Sequence, residues 1–373
     1  MQAMYFPILK AKDAEFDALH EAKEHIASSM IPLFDVPKFN PELKKYQNDS
    51  HAKATFLSEI STKIGKLRFG MPVMFDTYHW QHPNERVESG EHHLSYLYNT
   101  LKSDGVIAIP VVGYDRWDDE EYRLALRSIA RNHSGKFCIR LDRFAFEDIN
   151  DPEHFHDRLS EIIDSLEIIP ANCHVILDLQ DLSEMAIPDM ISQFDSLFLA
   201  ITDYGFATYS VAGCSLPNSI DKAVKQKDTT GSLLRREMVL WKYAREHYPA
   251  HQIHFGDYGV RGPSTTEIGY GNTNAKIRYT IDNEYFIVRG HKIEKPIGGF
   301  QHCALARILM DSKYYLSPDF SWGDNEIKRC SENKLGGGAT TWIKIDTSHH
   351  VAYVVLEIAE FERNRVSKVL NLA

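Results

Sequence analysis

The sequence predicts an α/β fold, a TIM-like (β/α)8 barrel, on three observations. Short apolar runs alternate with longer helical patterns, and eight such βα-like units occupy about 260 of the 373 residues, the number and length such a barrel needs. The runs are apolar throughout rather than alternating, as expected when both faces of a parallel sheet are buried. An open doubly wound sheet shares the pattern. Against it, the first strand-to-helix turn reads Lys10-Ala11-Lys12-Asp13, with no G-x-G-x-x-G.

The elements follow in order. Tyr5–Lys10 reads as the first strand, followed by an Ala/Glu/Leu-rich helix from Asp13 to Ser28. Met30–Val36 is the second strand, and a helical stretch from His51 to Lys66 leads to the third at Pro72–Asp76. Helical signals at His92–Lys102, Glu120–Asn132 and Pro152–Leu166 separate strands at Val106–Gly113, Lys136–Asp142 and Cys173–Leu179. After a helix beginning near Ile187, Thr208–Gly213 is strand seven; the helix Leu233–His247 precedes strand eight at Ile253–Tyr258.

Beyond Gly262 the texture changes. Ser264–Asn274 is a Gly/Ser/Thr/Asn-rich loop, and Ile277–Ile281 with Tyr285–Arg289 flanks Asp282-Asn283-Glu284 as a β-hairpin. A helix at Phe300–Met310, then a Gly/Asn-rich stretch ending in Gly336-Gly337-Gly338, and a last helix from Ser348 to Val369 complete the chain. The expected organisation is a barrel over residues 1–262 and a C-terminal extension, 263–373, packed on it as part of the same globular unit.

Composition excludes several classes of function. Forty-two Lys and Arg against 52 Asp and Glu give 42 − 52 = −10, which argues against a dedicated nucleic-acid binder, since that needs clustered cations. A normal apolar fraction and well-spread aromatic residues exclude a disordered chain. Five scattered cysteines with no C-x-x-C pair fit a reducing compartment. With no signal-peptide pattern and no run near the roughly 18 apolar residues of a membrane helix, a soluble cytoplasmic protein without a membrane partner is expected.

Barrel chemistry is expected at the carboxyl ends of the strands. Lys10, Asp35, Asp76, Tyr114, Asp115, Arg140, Asp142, Arg143, Asp178, Gln180, Ser215, Asp257 and Tyr258 stand there. Converging Asp35, Asp76 and Asp178 would suit a hard divalent cation or proton transfer, whereas the bland alternative is that each caps the following helix. Arg140 with Arg143 could form a fork for a carboxylate or phosphate, or simply pair with Asp142 and nearby acids. Lys10 stands where some cofactor-binding barrels place a Schiff-base lysine.

The last third is dense in polar-aromatic clusters: Phe255–Tyr258, Ile277-Arg278-Tyr279 with Val288-Arg289-Gly290, Phe320–Asp324 with Trp322, and Ala339–Trp342 followed by Ser348-His349-His350. Adjacent helical histidines diverge by about 100°, so one metal cannot take both; one is read as a base or phosphate donor and the other as a surface residue. Packing is the simpler role for Trp322 and Trp342. H-E-x-x-H, Gly-x-Ser-x-Gly and Walker patterns are absent.

These late clusters, with Tyr5–Lys10, Ile31–Asp35, Leu234–Glu237 and Leu240-Trp241, resemble the phage "beta protein" family over essentially the whole chain. The resemblance implies a phage-related or defence-island context. Two departures from the family's pattern are Gly213-Cys214-Ser215, where paired glycines are usual, and Ser348, where an Asn precedes the two histidines. The leading expectation is one ligand site for a small, polar, anionic compound, a nucleotide or phosphoryl species, in a hydrolase or lyase. Asp35, Asp76, Asp178, Asp257 and His350 would be catalytic; Lys10, Arg140, Tyr258, Arg278, Arg289, Trp322, Trp342 and His349 would bind ligand. The competing expectation is a non-catalytic barrel acting with a protein partner in phage–host conflict.

Overall fold

The computed structural model describes residues 4–67, 72–80, 86–132, 136–263, 274–292 and 299–370. Its centre is a closed barrel of eight parallel strands: β1 (Tyr5–Lys10), β2 (Leu33–Asp35), β3 (Val73–Asp76), β4 (Ala108–Gly113), β5 (Cys138–Leu141), β6 (His174–Asp181), β7 (Thr208–Cys214) and, after β8 (Thr229–Leu234), β9 (Ile253–Asp257). β9 pairs with both β7 and β1, which closes the ring. β8 instead joins β10 (Asn274–Ile281) and β11 (Glu284–Lys292) in an antiparallel sheet of order β10-β11-β8.

Strand alternation explains the near-continuous apolar runs. In β1, Phe6 and Ile8 belong to the cluster inside the barrel, while Tyr5 and Leu9 belong to the cluster between barrel and helices. Leu33, Met74, Cys138 and Ile176 likewise point in, and Phe34, Phe75, Ile139 and Leu177 point out. Each side of every strand is therefore buried in apolar contact, which leaves alternation invisible to hydropathy. The polar residues ending the same strands inherit the inward direction, because side chains repeat every second residue.

Beyond the barrel, the small sheet packs on three helices, Gly299–Met310, Trp322–Ser331 and Ala339–Leu370, through a third apolar cluster containing Ile277, Val288, Leu309, Ile327 and Ile345. Tyr285 and Ile287 of β11 continue the inner barrel cluster past Tyr258, Val260 and Leu216. The sheet thereby covers the β7–β9 side of the barrel's C-terminal mouth.

Four sequence expectations are corrected. The first helix is two pieces, Asp13–His20 and Glu24–Ala27. The residues before Arg236 form β8, because Thr229–Leu234 pair along β11, and the helix begins only at Arg236. Trp322–Ser331 is a helix capped by Ser321, whose hydroxyl accepts from the Asp324 amide. The last helix starts at Ala339 rather than Ser348. Its first turns, Thr340-Thr341-Trp342-Ile343, carry poor helix formers, but Trp342 and Ile345 are buried against the small sheet and its helices, and burial overrides propensity. The expected loop from Ser264 falls, up to residue 273, outside the described residues.

Candidate active site at the barrel mouth

The final inward residues of β1, β2 and β3 lie side by side in register: Lys10 opposite Asp35, and Asp35 opposite Asp76. Arg140, the last inward residue of β5, reaches across to them. Its Nη1 donates to Asp35 Oδ1 at 2.9 Å and to Asp76 Oδ2 at 2.8 Å. Nε donates to Asp178 Oδ2 at 2.8 Å, and Nη2 to the Tyr258 hydroxyl at 2.7 Å while lying 2.7 Å from Asp178 Oδ2. Tyr258 in turn donates to Asp178 Oδ2 at 2.5 Å. Arg140, the three carboxylates and Tyr258 are all buried.

Asp35, Asp76 and Asp178 thus converge, and the cation they surround is a guanidinium. Among the described residues no group of His, Cys, Asp and Glu is arranged to hold a metal ion. Each nitrogen of Arg140 already donates to an acceptor, so neither edge of its guanidinium is open as a ligand fork. Asp142, its neighbour in sequence, is not its partner; Asp142 Oδ1 instead accepts from the Phe144 amide at 3.3 Å as the cap of a short helix, Arg143–Asp148.

A second arginine completes the layer. Arg116, in the turn after β4, donates from Nη1 to Asp76 Oδ1 at 2.8 Å. Its guanidinium lies 5.4 Å from the Tyr78 ring and 5.2 Å from the Tyr122 ring. It rests on Gly113, where a Cβ would come within 1.9 Å of Nη2, so only glycine at this inward position lets the arginine fold back into the mouth. Nε and Nη2 of Arg116 are buried and make no hydrogen bond. Nε lies 3.2 Å from Asp115 Oδ1 without hydrogen-bond alignment.

The ionisable groups here are driven in opposite directions. Burial pushes Asp76 upward, but Arg116 and Arg140 outweigh it and hold the carboxyl below its ordinary range. Burial, with Asp115 and Asp178 nearby, drives Asp142 up to about 7, and its Oδ2 is buried without a partner. Asp115 is raised as well, by burial against the opposing charge of Arg116. Burial lowers Lys10, with Asp35 opposing, and its Nζ donates to the Pro263 carbonyl at 3.1 Å. His79 is lowered by burial with Asp35 opposing, and its Nε2 is buried without a partner.

Asp257 and His350 belong to another place. Because Tyr258 points into the mouth, Asp257 points outward from β9. There its Oδ2 lies 2.8 Å from His350 Nε2, and its Oδ1 accepts from the Tyr5 hydroxyl at 2.7 Å and the Gly259 amide at 3.0 Å. His350 Nδ1 is 2.7 Å from Thr280 Oγ1. His349 points the other way: Nδ1 is 2.9 Å from Asp324 Oδ2 and Nε2 is 2.9 Å from the Thr280 carbonyl, with its ring stacked on Tyr279 at 3.6 Å. Neither histidine is exposed, contrary to the surface role expected for one of them, because the helix begins nine residues earlier and runs buried along β10.

The remaining expected ligand residues are dispersed as well. Arg278 donates from Nε to Asp346 Oδ2 at 2.8 Å and from Nη1 to the Val260 carbonyl at 2.5 Å. Arg289 joins the Val224 and Lys225 carbonyls at 2.5 and 2.7 Å. Trp342 stacks on His302 at 4.5 Å, and Trp322 lies under Lys344 Nζ at 4.2 Å. Sequence reasoning missed Arg116, Tyr78 and His79, and left Asp142 and Asp115 out of the site though it noted both at strand ends. The available signal was Gly113-Tyr114-Asp115-Arg116: an inward glycine followed by an arginine one helical turn on.

No helix among the described residues is long and apolar enough to cross a membrane. No curated relative matches the chain. A family model described as Beta protein matches residues 5–356, and with that span, the barrel and the late Arg, Trp and His motifs all accounted for, the chain belongs to the Beta protein family.

Proposed function

We propose that the C-terminal mouth of the barrel binds a small, polar, anionic compound, a nucleotide or other phosphoryl species, and acts on it by proton transfer as a hydrolase or lyase. One observation carries this: buried polar atoms without partners, Arg116 Nη2, His79 Nε2 and Asp142 Oδ2, gather around a single charged layer. Such atoms cost roughly 1–3 kcal/mol each when left unpaired, a cost that a ligand's polar groups would remove. Neighbouring carboxyls pushed apart, Asp76 down and Asp142 up to about 7, support separate acid and base roles.

In this reading Asp142 gives its proton to the leaving oxygen. His79, kept neutral, takes one from water or from the substrate carbon. Arg140 is a positioning residue that holds the layer in place. A phage or anti-phage setting is the proposed biological context, following the family.

The test is a thermal-shift panel of nucleotides and sugar phosphates on the full chain near pH 6.5, followed by turnover of each stabilising compound. A true ligand at 100 times its dissociation constant adds about 2.7 kcal/mol of stability. Turnover should fall as pH rises through about 7, where Asp142 loses its proton. A panel with no stabilising compound would remove this reading.

One observation favours a second reading, a protein-binding barrel. The helix Ile187–Ile201 presents a shallow outward hollow where Ile187, Pro188, Ile191 and Leu199 are joined by Ser192, Asp195 and Ser196, with Leu199 56% exposed. If the mouth takes no ligand and Leu199→Asp abolishes a reproducible association with a purified partner, that reading replaces the first.

A further inference from the structure

We propose that Cys303 and Cys330 are a peroxide-sensitive pair that closes into a reversible disulfide and locks the helices carrying the small sheet over the barrel mouth. The five cysteines are far apart in sequence, but the fold brings these two together: the Cys330 thiol donates to Cys303 Sγ at 3.3 Å, across 27 positions of chain. Cys303 lies early in the helix Gly299–Met310 and Cys330 near the end of the helix Trp322–Ser331. With the sulfurs already facing each other, a bond asks for rotation of two side chains rather than a rearrangement of the helices.

The pair also differs from the other cysteines in its surroundings. Cys138, Cys173 and Cys214 are buried on or beside barrel strands, where Cys173 and Cys214 turn their thiols to the His174 and Leu216 carbonyls. Cys303 instead donates to the Leu335 carbonyl at 3.4 Å, in the stretch that joins Trp322–Ser331 to the last helix. Glu332, Asn333, Lys334, Gly336 and Gly338 of that stretch are exposed, and residues 335–338 belong to no helix or strand. An oxidant therefore reaches the sulfurs by displacing one surface connection, with barrel and sheet left intact. Burial, with Cys303 beside it, pushes the Cys330 thiol upward, so the closed structure reacts slowly and the pair stays reduced at low oxidant.

The oxidant is hydrogen peroxide. One sulfur attacks a peroxide oxygen, becomes a sulfenic acid and releases water; the second sulfur gives up its proton and displaces hydroxide, which leaves as a second water. One O–O and two S–H bonds break, one S–S and two O–H bonds form, and the two electrons lost by the sulfurs go to peroxide. The bond ties together two helices that pack on the small sheet through Leu305, Leu309 and Ile327, and it restricts the unfolded chain. The lock operates whatever the mouth binds.

The test exposes the full chain to hydrogen peroxide without denaturant, then alkylates the remaining thiols after unfolding and maps non-reduced peptides by mass spectrometry. Two of the five thiols should be lost to a Cys303–Cys330 cross-link that dithiothreitol reverses. The cross-linked chain should unfold at a higher urea midpoint than the reduced one. Cys303→Ser keeps a donor toward the Leu335 carbonyl and should show no rise after the same treatment. If that variant fails to fold, the wild-type peptide map and midpoint decide alone. Five retained thiols, a bond that includes Cys138, Cys173 or Cys214, an unchanged midpoint in the cross-linked chain, or an equal rise in Cys303→Ser overturns the inference.

Discussion

Two buried networks of aspartates lie on opposite sides of the barrel wall, and they differ in whether they close. Outside β9, at the seam with the small sheet and the last helix, both oxygens of Asp257 and both oxygens of Asp324 are taken: Tyr5, Gly259 and His350 serve the first, Tyr279, Ser321 and His349 the second. Arg235 leaves Nε and Nη2 without acceptors there, as Arg116 does in the mouth, and lies against the Phe255 and Tyr285 rings at 5.7 and 5.6 Å, so what closes at the seam is its aspartates. Inside the mouth the Arg140 core is equally complete, while its rim of Arg116, His79 and Asp142 is not. A closed network fixes geometry. An open rim around a closed core is what a site needs, because the core holds position while the rim waits for a partner.

The largest expected effect tests the closed core. Arg140→Met removes one charge and strands Asp35, Asp76 and Asp178 together in the barrel. Breaking buried ion pairs from one side costs about 3–5 kcal/mol, and three carboxylates share this cation. Urea denaturation at pH 7 should show a variant that is unfolded or at least that much weaker. A loss under 1 kcal/mol would mean that the mouth is wetter and looser than the hydrogen bonds imply.

His349→Ala tests the other network and should cost less, about 3 kcal/mol. Both nitrogens of His349 face acceptors, Asp324 and the Thr280 carbonyl, so the ring ties the last helix to the helix Trp322–Ser331 and to β10. The mouth should be untouched. If His349→Ala changes oxyanion binding at the mouth, the two networks are coupled and the comparison breaks.

How much of this was legible follows from the same contrast. The eight barrel strands were readable because each is buried on both faces, and apolar runs of that kind survive in sequence. The three aspartates were readable as strand ends. Their partner was not: Arg140 reaches Asp35 across 105 positions of chain, a pairing made by closure of the ring rather than by local spacing. In sequence Asp257 and Tyr258 form one cluster, yet neighbouring strand residues face opposite ways, so Tyr258 joins the mouth and Asp257 the seam. β8 was lost because a strand that pairs only with a distant hairpin carries little local signal. The helical start at Ala339 was lost because Thr340, Thr341 and Ile343 argue against it locally.

The third test uses pH, and here Asp142 of the mouth and the two seam aspartates should pull in opposite directions. Asp257 and Asp324 are raised by burial but held below the ordinary range by His350 and His349. Their contribution is full above the unfolded value near 3.9 and is lost as pH falls through the folded one. Asp142 is raised to about 7, and the buried Glu237 and Asp346 to about 7 and about 6. In that window these three groups hold more protons folded than unfolded, so their contribution to stability declines as pH rises from about 4 and levels above about 7. His92, His174 and His302, which burial lowers to about 4, hold fewer and oppose that decline. Denaturant midpoints from pH 3 to pH 8 should therefore drop on the acid side as Asp257 and Asp324 take up protons, while the raised acids and the lowered histidines offset each other between about pH 4 and pH 7.

Asp142→Asn sharpens this to one residue and has the smallest effect on stability. The amide cannot ionise, so the difference between variant and wild type between pH 4 and pH 7 isolates the share of Asp142, while Glu237 and Asp346 keep theirs. Its oxygen can still accept from the Phe144 amide, which preserves the cap. At pH 8 the variant should equal or exceed wild type; below pH 5 it should equal or fall slightly short of it. Activity separates the roles more sharply than stability does: an amide cannot deliver the proton, so turnover of any mouth substrate should drop by at least 100-fold while oxyanion binding stays within a few-fold. A variant that keeps its turnover would move Asp142 from the open rim to the closed core, leaving His79 and Arg116 to carry the difference between the two networks.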